Sequence, residues 1–310
     1  MALMAWIKGV WRLLRLPLFV TPVADVTAAY LVTSFAAGTP EIIDGHVLLL
    51  LAGASAGLYL FGMVENDLVD VRRDRLLHVP RPLVTGEIGR PTAVAFLLAT
   101  VALVACCAVR LPGAAVLAVV ATFLLVNLYN LGAKRGPAYV AMPVMGLCRF
   151  VNYGIGVAAV IGVPRGIYHL ELFGPTGPIW FRHAVALFFA TAMITGYSIS
   201  ARRGHTVSTR PWQGVLVVIC LAGLAIWIGC RVLGGELPLQ TILGRCAIGA
   251  PPVARILALL VLPTLWPGGL WAVTGPERRP DEYGRFIERG LYWLILLDAA
   301  FVLDTAWRSL

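Results

Sequence analysis

Charge is scarce in this sequence. Only 13% of its 310 residues are Asp, Glu, Lys or Arg, whereas 59% are hydrophobic. A soluble chain of this length needs polar cover over its exterior, so the composition excludes a soluble globular protein. Cysteine is sparse as well. There are six, with no Cys-x-x-Cys spacing, which argues against a zinc or disulfide framework. Cys106, Cys107, Cys148, Cys220 and Cys230 lie in apolar runs and read as small buried residues. His169 and His205 stand alone, without metal-ligand spacing. The N-terminal stretch lacks a small-residue cleavage site. Residues 1–15 instead place Trp6, Lys8, Trp11, Arg12 and Arg15 among apolar residues, as expected of an amphipathic start lying in a membrane interface.

What the chain does have is long apolar runs. Nine are recognisable, at about 18–37, 46–64, 91–109, 114–131, 141–161, 181–200, 214–233, 252–273 and 286–306. They consume nearly the whole length, so residues 1–310 are expected to form one all-α domain, a polytopic bundle of about nine transmembrane helices. The loops at 162–178 and 234–251 are rich in Gly and Pro and carry no catalytic pattern. With the N-terminus inside, 17 of the 25 Lys and Arg residues fall on the inner side and seven on the outer. The positive-inside rule therefore predicts a cytoplasmic N-terminus in a cell membrane. The net charge of +9 is then mostly topological and does not point to nucleic acid.

One stretch departs from this pattern. Residues 62–90 hold Asn66, Asp67, Asp70 and Asp74 at the end of an apolar run, among Arg72, Arg73, Arg75 and Arg81. Asn66, Asp70 and Asp74 are four apart, so on a helix they share one face. Stacked carboxylates repel, and a hard divalent cation with oxygen ligands, such as Mg²⁺, relieves that repulsion. The arginines could grip phosphate oxygens. A solvated loop after a span is the plain alternative. Tyr129-Asn130-Leu131-Gly132-Ala133-Lys134-Arg135 likewise reads either as a basic anchor or as a phosphate contact. Arg149 and Asn152 lie inside the fifth run. A buried Arg faces a bundle interior or a cavity and needs a partner. Asp25 and Glu65 are chemically eligible. The pair could be a structural lock, or Arg149 and Asn152 could line the active cavity.

The pattern Asn66-Asp67-x-x-Asp70-x-x-x-Asp74, with Arg81-Pro82-Leu83 and Gly86 after it, resembles the first aspartate-rich motif of the UbiA superfamily of intramembrane prenyltransferases. Met145-Gly146-Leu147-Cys148-Arg149-Phe150-Val151-Asn152 looks like the EboC-type subgroup of UbiA-like proteins. The resemblance implies a bundle around a central cavity capped by cytoplasmic loops. It implies a prenyl diphosphate bound through Mg²⁺ held by Asn66, Asp67, Asp70 and Asp74, with Asp70 and Asp74 catalytic. Lys134 and Arg135 would neutralise the leaving group beside Tyr129. Asn66, Arg72, Arg73, Arg81, Arg149 and Asn152 join the substrate contacts.

The resemblance breaks after the sixth run. Family members carry a second aspartate-rich motif there, but Tyr197-Ser198-Ile199-Ser200-Ala201-Arg202-Arg203-Gly204-His205 has no acid. Either Tyr197, Arg202 and Arg203 clamp the diphosphate directly, or turnover has been lost; Asp281 and Glu282 offer a weaker substitute for the missing acids. The implied reaction is alkylation of a hydrophobic acceptor by an allylic cation in the membrane. No His or carboxylate general base stands out within the runs, which suits an aromatic acceptor. The rival reading is a UbiA-like fold reused as a transporter or an assembly protein.

Overall fold

The chain is seen in a computed structural model, which describes residues 2–37, 43–162, 179–203 and scattered positions between 291 and 306. Among these residues every regular element is a helix. Eight are longer than a single 3₁₀ turn: α1 (Ala2–Leu14), α2 (Val20–Ala36), α3 (Gly45–Leu76), α4 (Pro82–Thr85), α5 (Arg90–Ala108), α6 (Gly113–Leu131), α7 (Ala138–Ile161) and α8 (Ile179–Arg203). Five stretches of the described residues are long and apolar enough to cross a membrane. In α8 the shorter stretch His183–Gly196 is apolar. The chain is therefore an all-α, multi-pass membrane protein. The expected spans at 214–233 and 252–273 lie outside the described residues, and that at 286–306 is represented by helical positions from 291 on.

The expected first six spans reappear within a few residues, with one informative difference. The run at 46–64 does not end its helix. α3 continues to Leu76, 32 residues in all, roughly 48 Å at 1.5 Å per residue, against a hydrocarbon core of about 30 Å. Nothing between Val64 and Leu76 breaks a helix, because Gly and Pro are absent there. The stop comes at His78, which takes a left-handed φ of 51°. Leu77 N–H then donates to the Arg73 carbonyl at 3.0 Å and Val79 N–H to that of Asp74 at 2.9 Å, which satisfies the last turn. Loss of hydrophobicity thus marks where α3 leaves the lipid, not where the helix ends.

α1 is the amphipathic start. Leu3, Met4, Trp6, Ile7 and Trp11 are exposed, while Leu13 and Leu14 pack with Val64, Leu83 and Ile88 beside the same end of α3. Arg12 donates to Glu87 at 2.7 Å and also to the Pro80 carbonyl. Exposed Trp and Leu on a helix anchored this way suit an interfacial position.

The spans pack closely through small residues. At the α2–α7 crossing, a Cβ on Gly156 would lie 2.7 Å from the Ala29 methyl and 2.9 Å from the Tyr30 amide. Only glycine allows this approach, the usual device of membrane helix pairs. Beside it lies the buried ion pair of the bundle. Arg149 of α7 meets both carboxylate oxygens of Asp25 on α2 and donates to Thr21 at 3.1 Å. Asn152 donates to the Pro22 carbonyl at 3.0 Å, and Ser55 of α3 donates to Asn152 at 2.8 Å. Of the two eligible carboxylates Arg149 takes Asp25; Glu65 instead accepts from Asn130 at 2.8 Å.

Breaking one side of such a pair leaves an uncompensated charge in the bundle. Arg149→Met is expected to destabilise by about 3–5 kcal/mol, and Arg149→Met with Asp25→Leu by less than Arg149→Met alone. Thermal unfolding in detergent checks this; a double variant as unstable as the sum of the single ones would show the pair contributes no coupling.

Candidate functional site

The motif stretch forms the protruding end of α3. Asp67, Asp70 and Asp74 are buried, at 1%, 7% and 9% exposure. Acids so placed need counter-charges, and four basic residues from three separate segments supply them. Lys134, in the 3₁₀ turn Ala133–Arg135 after α6, donates to Asp70 Oδ2 and to Asn66 Oδ1, both at 2.8 Å. Arg135 approaches Asp70 Oδ1 at 3.8 Å. Arg81 lies 3.3 Å from Asp67 Oδ1 and 3.8 Å from Asp74 Oδ2. Arg15 donates to Asp67 Oδ1 at 3.4 Å.

Local sequence explains how Arg81 comes back to α3. A residue before proline is forced into extended backbone, and Arg81 has φ −82° and ψ 150°. Pro82 then starts the one-turn α4, where its missing N–H costs nothing. Gly86 closes that turn at φ 78°. The Arg-Pro-Leu-Val-Thr-Gly string is thus a compact return that sets a guanidinium between two carboxylates.

Two carboxylate oxygens in this cluster, Asp67 Oδ2 and Asp70 Oδ1, are buried without a hydrogen-bond partner. They are hard donors on adjacent turns of one helix. Among the described residues no three His, Cys, Asp or Glu side chains converge as a complete metal cage. Mg²⁺ needs no such cage, since it commonly takes one or two carboxylates and fills the rest with water and phosphate oxygens. Asp67 and Asp70 fit that demand, and Asn66 and Asp74 flank them.

The other expected site residues are distributed as follows. Tyr129 is 8% exposed and packs with Ala133, Ala141 and Met142 next to the Lys134 turn. Arg73 is exposed beside Asp74. Arg72 turns to the opposite side of α3. Arg149 and Asn152 belong to the bundle interior, bonded to Asp25, Thr21, Pro22 and Ser55 and not to the motif acids. Tyr197, Arg202 and Arg203 occupy the last two turns of α8, and their side chains lie outside the described residues, as do Asp281 and Glu282.

Sequence reasoning missed two features. Arg15 joins the cluster, although it reads in sequence only as a basic residue ahead of a span. The spans also do hold a histidine with carboxylates. His183 Nε2 lies 2.8 Å from Asp298 Oδ1, its Nδ1 lies 3.1 Å from the Tyr153 hydroxyl, and its ring stacks on Phe301 at 4.1 Å. His183 and Tyr153 are fully buried. This group ties α7 and α8 to the last helical positions.

Comparison with known proteins gives a consistent picture. The UbiA prenyltransferase family matches residues 26–204. No curated protein matches the sequence. Among solved structures, the apo form of a UbiA homologue from Aeropyrum pernix K1 is similar over 91% of this chain and 97% of its own, with TM-score 0.62 and 17% identity. A digeranylgeranylglyceryl phosphate synthase aligns over 97% and 99%, with TM-score 0.59 and 14% identity. A UbiA homologue from Archaeoglobus fulgidus, bound to DMAPP and Mg²⁺, aligns over 94% and 99%, with TM-score 0.58 and 17% identity. At these identities the structural matches establish a shared fold.

The geometry of the return can be tested directly. A Cβ on Gly86 meets nothing within 4 Å, but its φ of 78° is unfavourable for any L side chain. Gly86→Ala should therefore cost about 1–2 kcal/mol through the backbone alone. Hydrogen exchange is expected to quicken over residues 81–88 while α7 stays protected. Unchanged exchange over 81–88 would mean that the glycine turn does not hold Arg81 in place.

Proposed function

Because this chain belongs to the UbiA prenyltransferase family, we propose that it transfers a prenyl group from a prenyl diphosphate to a hydrophobic acceptor within the membrane. The observation that carries the reading is the meeting of Asn66, Asp67, Asp70 and Asp74 with Lys134, Arg135, Arg81 and Arg15 where α3 leaves the lipid. A diphosphate needs cations, and an allylic chain needs an apolar place beside them. This corner of the bundle offers the cations, with the apolar cluster of Tyr129, Ala141 and Met142 packed beside the Lys134 turn. The similar structure from Archaeoglobus fulgidus was bound to DMAPP and Mg²⁺, in keeping with such a site.

In this reading Asp67 and Asp70 hold Mg²⁺, with Asn66 and Asp74 in support. The metal, when bound, supplies positive charge against the diphosphate oxygens. The chain's own cations do the rest. Lys134 is 3% exposed at its side chain and already lies on Asp70. Lys134 and Arg135 would turn from Asp70 to the diphosphate and stabilise the charge that develops on it as the bond to the allylic carbon breaks. The electron pair of that carbon–oxygen bond leaves with pyrophosphate. The acceptor forms the new bond to the cation and gives up a proton afterwards. Arg81 and Arg15 fix Asp67 and hold the return in place. Tyr129 backs the Lys134 turn. The basic excess on this face puts the site, with the N-terminus, on the cytoplasmic side of the cell membrane.

Purified protein supplied with Mg²⁺, prenyl diphosphates of several lengths and a membrane-lipid extract should release pyrophosphate and yield a prenylated product visible by mass spectrometry. Asp70→Asn and Lys134→Met are each expected to slow release by roughly 100-fold or more. Absence of release and of Mg²⁺-dependent diphosphate binding in the unaltered protein would reject the enzyme reading. A UbiA fold used for transport or assembly would then remain.

A further inference from the structure

α3 has a second functional side. Counted at 3.6 residues per turn, Leu68, Val71, Arg72 and Arg75 share a face roughly opposite Asn66, Asp70 and Asp74. That face is one wall of a cavity of about 430 Å³ whose other wall is Leu83 in α4, Ile88 after it and Arg90 at the start of α5. The cavity holds three guanidinium groups over an apolar floor. Arg72, Arg75 and Arg90 are exposed, and among the described residues none of the three is paired with a carboxylate. This contrasts with the acid side, where each buried carboxylate has a cation near it.

The position of the cavity narrows its occupant. Leu83 and Ile88 pack on Leu13 and Leu14 of α1, the helix whose Trp6 and Trp11 remain exposed. The cavity is therefore at the membrane interface. From Arg90 an exposed apolar stripe runs into the lipid along the same face of α5, through Val94, Leu98 and Val101, at 39%, 63% and 37% exposure. A ligand that meets this surface is anionic at one end and apolar for several turns of helix below.

We propose that this cavity binds an anionic phospholipid, with its phosphate against Arg72, Arg75 and Arg90 and an acyl chain along Val94, Leu98 and Val101. Basic pockets between membrane helices on the cytoplasmic side are suited to such head groups, and guanidinium groups hold phosphate oxygens in pairs. The site is separate from the acid cluster and does not depend on prenyl transfer.

The test uses full-length, delipidated protein in detergent, titrated with phosphatidylglycerol and with phosphatidylcholine and read by native mass spectrometry. Phosphatidylglycerol is expected to bind about tenfold or more tightly than phosphatidylcholine. The combined variant Arg72→Gln, Arg75→Gln, Arg90→Gln should erase that preference. Arg73→Gln, which removes one charge from α3 outside the cavity, should leave it intact. If the combined variant misfolds, Arg90→Gln alone is expected to reduce the preference. Equal binding of the two lipids overturns the proposal, as does an unchanged preference in the folded arginine variants. Displacement of bound phosphatidylglycerol by millimolar inorganic phosphate also overturns it, because the site would then recognise free anion without the chain.

Discussion

Three carboxylates within eight residues, all nearly out of contact with water, are tolerable only if cations reach them. Asp67, Asp70 and Asp74 therefore dictate how the segments around them fold. The Lys134 turn after α6, the Arg81 return before α5 and the left-handed Arg15 ahead of α2 each deliver a basic group to the end of α3. These segments are far apart in sequence, and they converge on one helix end through these charges and, for the Arg15 and Arg81 segments, through the apolar cluster of Leu13, Leu14, Val64, Leu83 and Ile88. Every pair also involves a group that a charged ligand could claim. Lys134 can move from Asp70 to a phosphate, and Asp70 from Lys134 to a metal, without either being left alone. A cluster whose carboxylates are already matched by cations and can exchange partners avoids the large cost of a bare buried charge.

The interior of the bundle obeys the same constraint with the opposite outcome. Arg149 and Asp25 pair with each other, Arg149 also donates to Thr21, and Asn152 lies beside them. Both are buried deep between α2 and α7, where the backbones touch at Gly156. A closed pair in that place locks helix register. The cluster at the mouth of the bundle keeps two carboxylate oxygens, Asp67 Oδ2 and Asp70 Oδ1, without a hydrogen-bond partner, so it retains groups that a ligand can engage.

Much of this was legible in the sequence, for physical reasons. Apolar runs of about 20 residues need a bilayer, so the early spans could be placed to within a few residues. The period of four between Asn66, Asp70 and Asp74 identified the polar face of α3. Arg81-Pro82-Leu83 and Gly86 entered only as part of the motif that carries the resemblance; the turn they form belongs to the fold. What escaped has physical causes too. Hydrophobicity stops at Val64 while helix propensity continues to Leu76, so the run understated α3. Lone residues such as Arg15, His183 and Asp298 carry no spacing signal, and the choice between Asp25 and Glu65 as the partner of Arg149 carried none either. Their meaning lies in partners 50 or more residues away, which only the packed chain selects.

The two sides of α3 show how much function one helix end can hold. Four-residue spacing puts Asn66, Asp70 and Asp74 on one side, and the intervening positions Leu68, Val71, Arg72 and Arg75 fall on the other. The sequence Asp70-Val71-Arg72-Arg73-Asp74-Arg75 looks like a mixed-charge tail when read as a line. Wound into a helix it separates into an acidic face already supplied with cations and a basic face over an apolar floor. Among the described residues only the second holds arginines that no carboxylate pairs. An anion arriving in the plane of the membrane therefore meets uncompensated arginines on the α5 side. One arriving at the acid face must bring its own cation, or displace a lysine and arginines already engaged, before it can bind.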